Sequence, residues 1–420
     1  MRIIRKIGTP RWVLTCLGMA SVSFAVGART AEGAADLQQI DRVVAQHIEA
    51  GDVPGAVVLL KRRGKILFWE AKGVGDPKTP SPLSKDSIFW IASLTKPIVA
   101  TGILMLADEG KLSINDPVSK YLPEYSAPRQ VRTLKPGSKL PPPTAPGSPA
   151  SNAPAPEYDY ASAKRELTLK DLLTHSSGLQ SIGVPNPAIP EILPGDTLAG
   201  WVPKLSATPL NFQPGEGWAY SNAAAFDVLA RVVEVVSGKP FDQYLQKRLF
   251  EPLQMTSTGF RGKRPDLVPR DIPLDARLLA NPCIEGTTFL CGSAGLWTSV
   301  EDYAKFAQML LDDGKAPSGH RILRPETVKL LASDAIGKLF PGTQGISGEG
   351  AAMGLSVLVI KDPAAAGVAV PQGSFGWDGV GTRRFWVMPA KKAVLVMFIP
   401  SGKGPLVQRD IEAAAMNALH

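Results

Sequence analysis

Phe89-Trp90-Ile91-Ala92-Ser93-Leu94-Thr95-Lys96-Pro97 ends a short apolar run on a serine and places a lysine three residues later. Beyond it, Ile98, Val99, Ile103, Leu104 and Leu106 continue as the apolar side of a helix that ends near Gly110. A serine in the first turn of such a helix lies in the field of exposed backbone N–H groups, and a lysine at i+3 shares its face one turn along. A desolvated lysine loses its proton readily and takes one from a serine hydroxyl, the task that histidine performs in other hydrolases. Ser93-x-x-Lys96 is the one S-x-x-K in the chain. Chance alone supplies about one or two in this length, so the spacing needs support from elsewhere.

On the N-terminal side, Leu37, Ile40, Val43, Val44 and Ile48 recur at helical spacing and Gly51 stops them. Two strand-like runs follow, Ala56–Leu60 and Ile66–Glu70, joined by a turn at Arg62-Arg63-Gly64. Together these predict a helix packed on an antiparallel hairpin. On the C-terminal side, eight prolines between Pro136 and Pro156, with few large apolar residues, predict a surface insertion over 134–158 that is neither helix nor strand. Capped helices follow. Thr168-x-x-Asp171 opens one that stops before Gly178, Asn222–Val236 forms another that stops at Gly238, and Pro240–Phe250 forms a third. Ser299-x-x-Asp302 caps a further helix ending at Gly314. The last third returns to strands at Met353–Ile360, Arg384–Met388 and Ala393–Ile399, with a closing helix from Leu406 to Leu419. The expected fold class is α+β, an antiparallel sheet flanked by helices and built from both ends of the chain (36–110 and 290–420). A mostly helical domain, 111–289, is inserted into it. A cleft between two such lobes is a natural place for a site.

Composition narrows the functional classes. Of 420 residues, 44% are hydrophobic and 20% charged, ordinary globular proportions that exclude a disordered, collagenous or coiled-coil chain. Forty-six basic and 38 acidic residues leave a formal charge of +8. Four of the basic residues (Arg2, Arg5, Lys6, Arg11) precede the first apolar run with no acid among them, so the balance without them is +4. No Lys/Arg run exceeds Lys61-Arg62-Arg63, which gives a nucleic-acid partner no support. That basic start, the largely apolar Trp12–Val26 and the small residues at Gly27-Ala28 have the layout of a secretory signal peptide over 1–28. The apolar core is about 15 residues, where a membrane-spanning helix needs roughly 20, so no stable span is expected after leader removal and the protein is expected in the periplasm or outside the cell. Cys16 follows Thr15 and lacks the setting of a lipid-attachment site. In an oxidising compartment Cys283 and Cys291 read either as a small disulfide staple or as two buried thiols. Four scattered histidines and no C-x-x-C predict no metal, and no cofactor is called for.

Two further stretches carry chemistry. In Phe212-Gln213-Pro214-Gly215-Glu216-Gly217-Trp218-Ala219-Tyr220-Ser221-Asn222, a phenol lies between a glycine-rich loop and a helix start. Tyr220 there is suited to relaying a proton if a neighbouring ammonium lowers its pKa, or it is simply a core aromatic. Asn222 is suited to orienting the lysine or a substrate carbonyl with its amide, or it is a helix N-cap. In Phe375-Gly376-Trp377-Asp378-Gly379-Val380-Gly381, glycines precede an apolar strand, and a backbone N–H on a strand edge can face a developing oxyanion. By itself this last stretch reads as a turn. No Gly-x-Ser-x-Gly, Walker loop, dinucleotide fingerprint or zinc-protease helix is present. His175, at the end of a capped helix, reads as a structural cation on the helix dipole.

In this order the three elements resemble the serine β-lactamase and penicillin-binding-protein superfamily, and within it the class C β-lactamase-like proteins and family VIII carboxylesterases. The resemblance extends through Asp116-Pro117-Val118-Ser119-Lys120-Tyr121-Leu122-Pro123 and Asp171-Leu172-Leu173-Thr174-His175-Ser176-Ser177-Gly178-Leu179. It implies that Ser93 is the acylated nucleophile, that Lys96 and Tyr220 share the proton transfers with Asn222 beside them, and that the backbone N–H groups of Ser93 and Val380 form the oxyanion hole. Antibiotic-hydrolysing members usually carry Lys-Thr-Gly or Lys-Ser-Gly where this chain has Trp377-Asp378-Gly379, and the esterases often carry a Trp there. Losing that cation removes a charge-assisted bond of about 1.5–3 kcal/mol to a carboxylate, and Asp378 would repel one if it faced the cleft. The expected substrate is a small neutral ester. A D-amino-acid peptidase or weak β-lactamase is the alternative, amide hydrolysis or acyl transfer to another alcohol stays open, and a non-catalytic cell-wall binding protein is the reading from another class.

Overall fold

The computed structural model describes residues 22–420 apart from 79, 127, 141–155, 183, 185, 269–280, 344 and 401–402. Most of the expected leader lies outside the described residues. The first helix, Val22–Glu49, buries Ile40 and Val44, and Gly51 (φ +72°) follows its end. Strands β1 (Gly55–Arg62) and β2 (Lys65–Gly73) then form a hairpin. Arg63 and Gly64 both take positive φ in the turn, as a two-residue hairpin needs to match the twist of its strands.

Further along lie β3 (Phe89–Trp90), β4 (Gln130–Leu134), β5 (Tyr158–Ser162), β6 (Gly259–Phe260) and β7 (Leu296–Thr298). The C-terminal third adds β8 (Gly342–Thr343), β9 (Ile346–Ser347), β10 (Ala351–Met353), β11 (Leu358–Ile360), β12 (Phe375–Gly379), β13 (Arg383–Met388) and β14 (Ala393–Phe398). Seven strands make one antiparallel sheet in the order β10-β11-β12-β13-β14-β1-β2. The first strand therefore pairs with the last, Val57 opposite Phe398, which welds the two ends of the chain into one layer. β14 is buried along its whole length, as its unbroken apolar run requires. The first helix packs against the last, Gly404–Asn417, while the helix Val300–Leu311 packs on β13, β14 and β1.

The almost wholly buried helix Thr95–Asp108 packs against Ala225–Ser237, a helix of the segment expected as an inserted domain. The caps at Thr168 and Ser299 form as the sequence predicts, with Asp171 N and Asp302 N each donating to the capping hydroxyl at 3.2 Å. Cys283 and Cys291 are joined in a disulfide.

Four expectations need correction. Met353–Ile360 is not one strand but β10 and β11, reversed through Gly354–Val357 with Ser356 at φ +71°. A largely apolar run, broken at Gly354 and Ser356, hides a buried reversal, because both arms lie in the core. Phe375–Gly379 is a buried strand, not a turn; its glycines serve close packing, and a Cβ on Gly376 would lie 2.0 Å from the Phe385 carbonyl oxygen. Asn222 does not cap the following helix, which starts at Ala225 after Ala224 takes φ +65°. The insertion is bounded by strand at both ends, with Leu134 opposite Tyr158; residues 141–155 lie outside the described residues.

Candidate active site

Ser93 lies in a single 3-10 turn, Ala92–Leu94, between β3 and the helix Thr95–Asp108. Both flanks are anchored. β3 pairs with β7, Ile91 N donates to Leu296 O at 3.1 Å, and Tyr303 Oη donates to Leu94 O at 2.9 Å. Ala92 takes φ +44°, a conformation that a residue with a side chain adopts only when its surroundings enforce it. Pro97 falls in the first turn of the helix, where its missing N–H leaves no bond unmade.

Lys96 sits one turn beyond Ser93 and is fully buried. Its three N–H donors have three acceptors: Ser293 O at 2.7 Å, Asn222 O at 3.1 Å and Ser93 Oγ at 3.2 Å. Tyr220 Oη donates to Ser93 Oγ at 2.6 Å. The ammonium also lies 5.2 Å from the Tyr220 ring centre and 5.6 Å from that of Phe226, within cation–π range. Serine, lysine and tyrosine, 127 residues apart at the extremes, thus share one hydroxyl oxygen.

Asn222 reaches this cluster through its backbone carbonyl; its side chain is exposed. The lysine is therefore oriented by main chain, not by the amide. Sequence reading missed two members. Ser293 supplies the lysine's shortest bond, and Asp227, fully buried, accepts from Ser293 N at 3.1 Å and Ser293 Oγ at 3.0 Å. Asp227 could have been noticed as an acid on the otherwise apolar face of the helix that follows Tyr220. Ser293 carried no signal beyond its place in the small-residue run Gly292-Ser293-Ala294-Gly295.

His175 is not a cation on a helix dipole. It is buried, and Nδ1 accepts from Ser221 N at 3.2 Å, which leaves the proton on Nε2. Burial first, and then the charge of Lys96, pushes its pKa well below the usual histidine range. The neutral ring stands 4.7 Å from Tyr220 and lies nearly parallel to Trp377 at 6.0 Å.

β12 brings the third stretch alongside. A Cβ on Gly379 would lie 2.5 Å from Ile91 O, so only glycine lets the strand approach the turn carrying Ser93 this closely. Val380 follows with its side chain 68% exposed. Strand alternation turns Trp377 towards His175 and Tyr220, and Asp378 to the opposite face. There Asp378 is buried in a two-pronged pair with Arg384, at 2.5 and 2.6 Å, and Arg384 also donates to Glu412 at 2.8 Å. Asp378 is thus turned away from Ser93, Lys96 and Tyr220, and the expected repulsion of a carboxylate does not arise from it. Trp377 is 1% exposed, so it backs the site from within instead of lining open space. Neither neighbouring arginine offers a cation to Ser93: Arg384 is held as described, and Arg383 donates to the carbonyls of Val380, Gly381 and Pro400.

The chain is 30% identical over 371 residues to Protein Rv1367c of Mycobacterium tuberculosis (strain ATCC 25618 / H37Rv), covering 84% of this chain and 86% of that one. It is 29% identical over 394 residues to Esterase EstB of Burkholderia gladioli, covering 86% and 90%. Among solved structures, EstCE1, a hydrolase with promiscuous acyltransferase activity, superposes with a TM-score of 0.70 at 21% identity, covering 91% of this chain and 99% of that chain. Unliganded simvastatin synthase (LovD) of Aspergillus terreus, as its selenomethionyl derivative, gives 0.69 at 20% identity, covering 91% and 97%. These two show the shared fold. The Beta-lactamase family model matches residues 40–418, and the chain belongs to that family.

Proposed function

We propose that this protein is a serine carboxylesterase that cleaves small neutral acyl esters through an acyl-enzyme on Ser93. The observation that carries the reading is the double contact on Ser93 Oγ, from Tyr220 Oη at 2.6 Å and Lys96 Nζ at 3.2 Å. Tyr220, beside the Lys96 side chain, serves as the base once its own proton has been released to solvent. The Ser93–Tyr220 hydrogen bond then reverses, Ser93 donating as Oγ attacks the ester carbonyl. Tyr220 returns the proton to the leaving alkoxide, and the same pair activates water for deacylation. The backbone N–H groups of Ser93 and Val380 take the oxyanion, and the exposed Asn222 side chain and the end of β12 at Gly379 and Val380 contact the substrate, with Trp377 packed behind them. The absence of a free cation on β12, and the pairing of both nearby arginines, support a neutral ester over an anionic β-lactam. The likeness to Esterase EstB supports the same choice. A leader with signal-peptide layout and the Cys283–Cys291 bond support export to the periplasm or beyond.

Acyl transfer to an alcohol is the second reading, supported by the acyltransferase activity named for EstCE1. A fluorophosphonate probe should label Ser93. Short p-nitrophenyl esters should turn over clearly, while nitrocefin and D-Ala-D-Ala peptides should be hydrolysed little. Nitrocefin turnover as fast as that of p-nitrophenyl butyrate would replace the esterase reading with a β-lactamase.

A further inference from the structure

Lys96 is buried, yet each of its hydrogen-bond partners is formally neutral: two main-chain carbonyls and one hydroxyl. A buried ammonium without a counter-charge is costly, and Asp227 is the carboxylate that packs behind those partners. It accepts from Ser293 N and Ser293 Oγ, and from Ala224 N at 3.0 Å. All three bonds are donated to the carboxyl, the pattern of an ionised, acceptor-only group. The two segments it grips are the two that offer carbonyls to the lysine. Ser293 presents its own carbonyl to Nζ, and Asn222 lies two residues before Ala224, whose positive φ the bond to Asp227 supports.

We infer that Asp227 is a positioning residue for the proton-transfer pair: through Ser293 and Ala224 it fixes both carbonyls that hold Lys96, and it sets a carboxylate behind the Lys96–Tyr220 pair. This rests on the esterase reading above. Asp227 touches neither Ser93 nor Tyr220 and acts only through the segments it holds. Burial pushes the Asp227 carboxyl up, while the bonds from Ser293 and the charge of Lys96 oppose that rise. The other titratable groups nearby are Tyr220, the neutral His175, and Tyr125, whose hydroxyl donates to Val202 O and whose ring carries Arg129. Neither His175 nor Tyr125 supplies a second negative charge at neutral pH.

The test is a set of pH–rate profiles on p-nitrophenyl acetate for the full chain and its Asp227→Asn and Ser293→Ala variants. Removing the negative charge makes the lysine–tyrosine pair release its proton more easily, so the acid limb of kcat/KM should move to lower pH by about one unit in Asp227→Asn. At the plateau kcat should fall roughly tenfold or more with KM within a few-fold, because misplacing a proton-transfer group affects the chemical step. Ser293→Ala, which keeps the Ser293 carbonyl but removes one donor to Asp227, should lower kcat in the same sense by less. If Asp227→Asn does not fold, Ser293→Ala decides, and a wild-type kcat and profile in it would overturn the inference. A folded Asp227→Asn protein with an unmoved acid limb overturns it too, whatever happens to kcat, because a merely structural role lowers activity without that shift. Fluorophosphonate labelling of the unmodified chain separates the two layers. No label on Ser93 removes the esterase reading itself, whereas a labelled Ser93 with indifferent variants removes only the role of Asp227.

Discussion

Two buried charge clusters lie close to β12 and are wired differently. Behind the strand, Arg384 meets Asp378 in two direct bonds and Glu412 in a third, with Trp386 Nε1 also donating to Glu412 at 2.7 Å. Burial works against the Arg384 cation, but the two carboxylates override it and raise its pKa beyond the usual arginine range. In front, Lys96 is separated from Asp227 by Ser293 and the Ala224 turn. Direct pairing leaves a charge stable and inert, clamping a strand and the last helix. Pairing through neutral groups leaves one lysine hydrogen bond for Ser93 Oγ. The difference between the two buried cations is thus one intervening residue.

That contrast is open to attack, starting with the largest effect. Ser93→Ala should reduce ester turnover to background while leaving the circular dichroism spectrum and melting temperature nearly unchanged, since one hydroxyl at a helix start contributes little to the core. A variant that keeps most of its activity removes Ser93 as nucleophile. Lys96→Ala and Tyr220→Phe should each cost roughly 10²–10⁴-fold in kcat. Because both act on one oxygen, the double variant should lose far less than the product of the single losses, as groups that act as a unit do. Strictly multiplicative losses would mean two independent roles.

The rear cluster should respond in stability instead. Arg384→Ala strands two buried carboxylates and should cost about 3–5 kcal/mol in urea unfolding. A loss below 1 kcal/mol would show that water or a neighbour replaces the guanidinium. The same bond changes how the third stretch should be engineered. Rebuilding Lys-Thr-Gly through Trp377→Lys and Asp378→Thr would place an ammonium in a closed aromatic site and leave Arg384 with Glu412 as its one carboxylate partner, so the expected outcome is an unstable protein, not a new β-lactamase.

The smallest effect concerns His175. Its folded-state pKa lies below the unfolded value of about 6.5, so as pH falls through that value the unfolded chain takes up a proton that the folded one refuses. Stability should therefore decline from about pH 6.5 downwards, by at most about 1.4 kcal/mol per unit from this group, and be indifferent to it above. His175→Asn keeps an acceptor for Ser221 N and should flatten that part of the profile. An unchanged acid slope in this variant would assign the slope to other groups.

Much of the architecture was legible in local patterns. Capping pairs at Thr168 and Ser299, the helical periodicity from Leu37 to Ile48 and the unbroken apolar run of β14 each report how a segment meets a core, and each formed as read. The short reversals were not legible. Gly354–Val357 and the start of the helix at Ala225 depend on positive φ at Ser356 and Ala224, residues whose side chains do not favour it. Only the packed surroundings make up the difference.

The sequence by itself picked out Ser93 and Lys96 as candidates, because a three-residue spacing is a local property and survives any rearrangement of the rest. It picked out Tyr220 too, through an ordered set of stretches rather than through any one of them. Only the tertiary structure decided which atoms do the holding. The lysine is oriented by the carbonyls of Asn222 and Ser293, and no side-chain pattern encodes where a carbonyl points. Asp378 and Trp377 are neighbours in sequence, yet the two-residue period of a strand sends one to an arginine at the back and the other to Tyr220. Which face is which depends on how seven strands stack, and that is fixed by partners hundreds of residues apart.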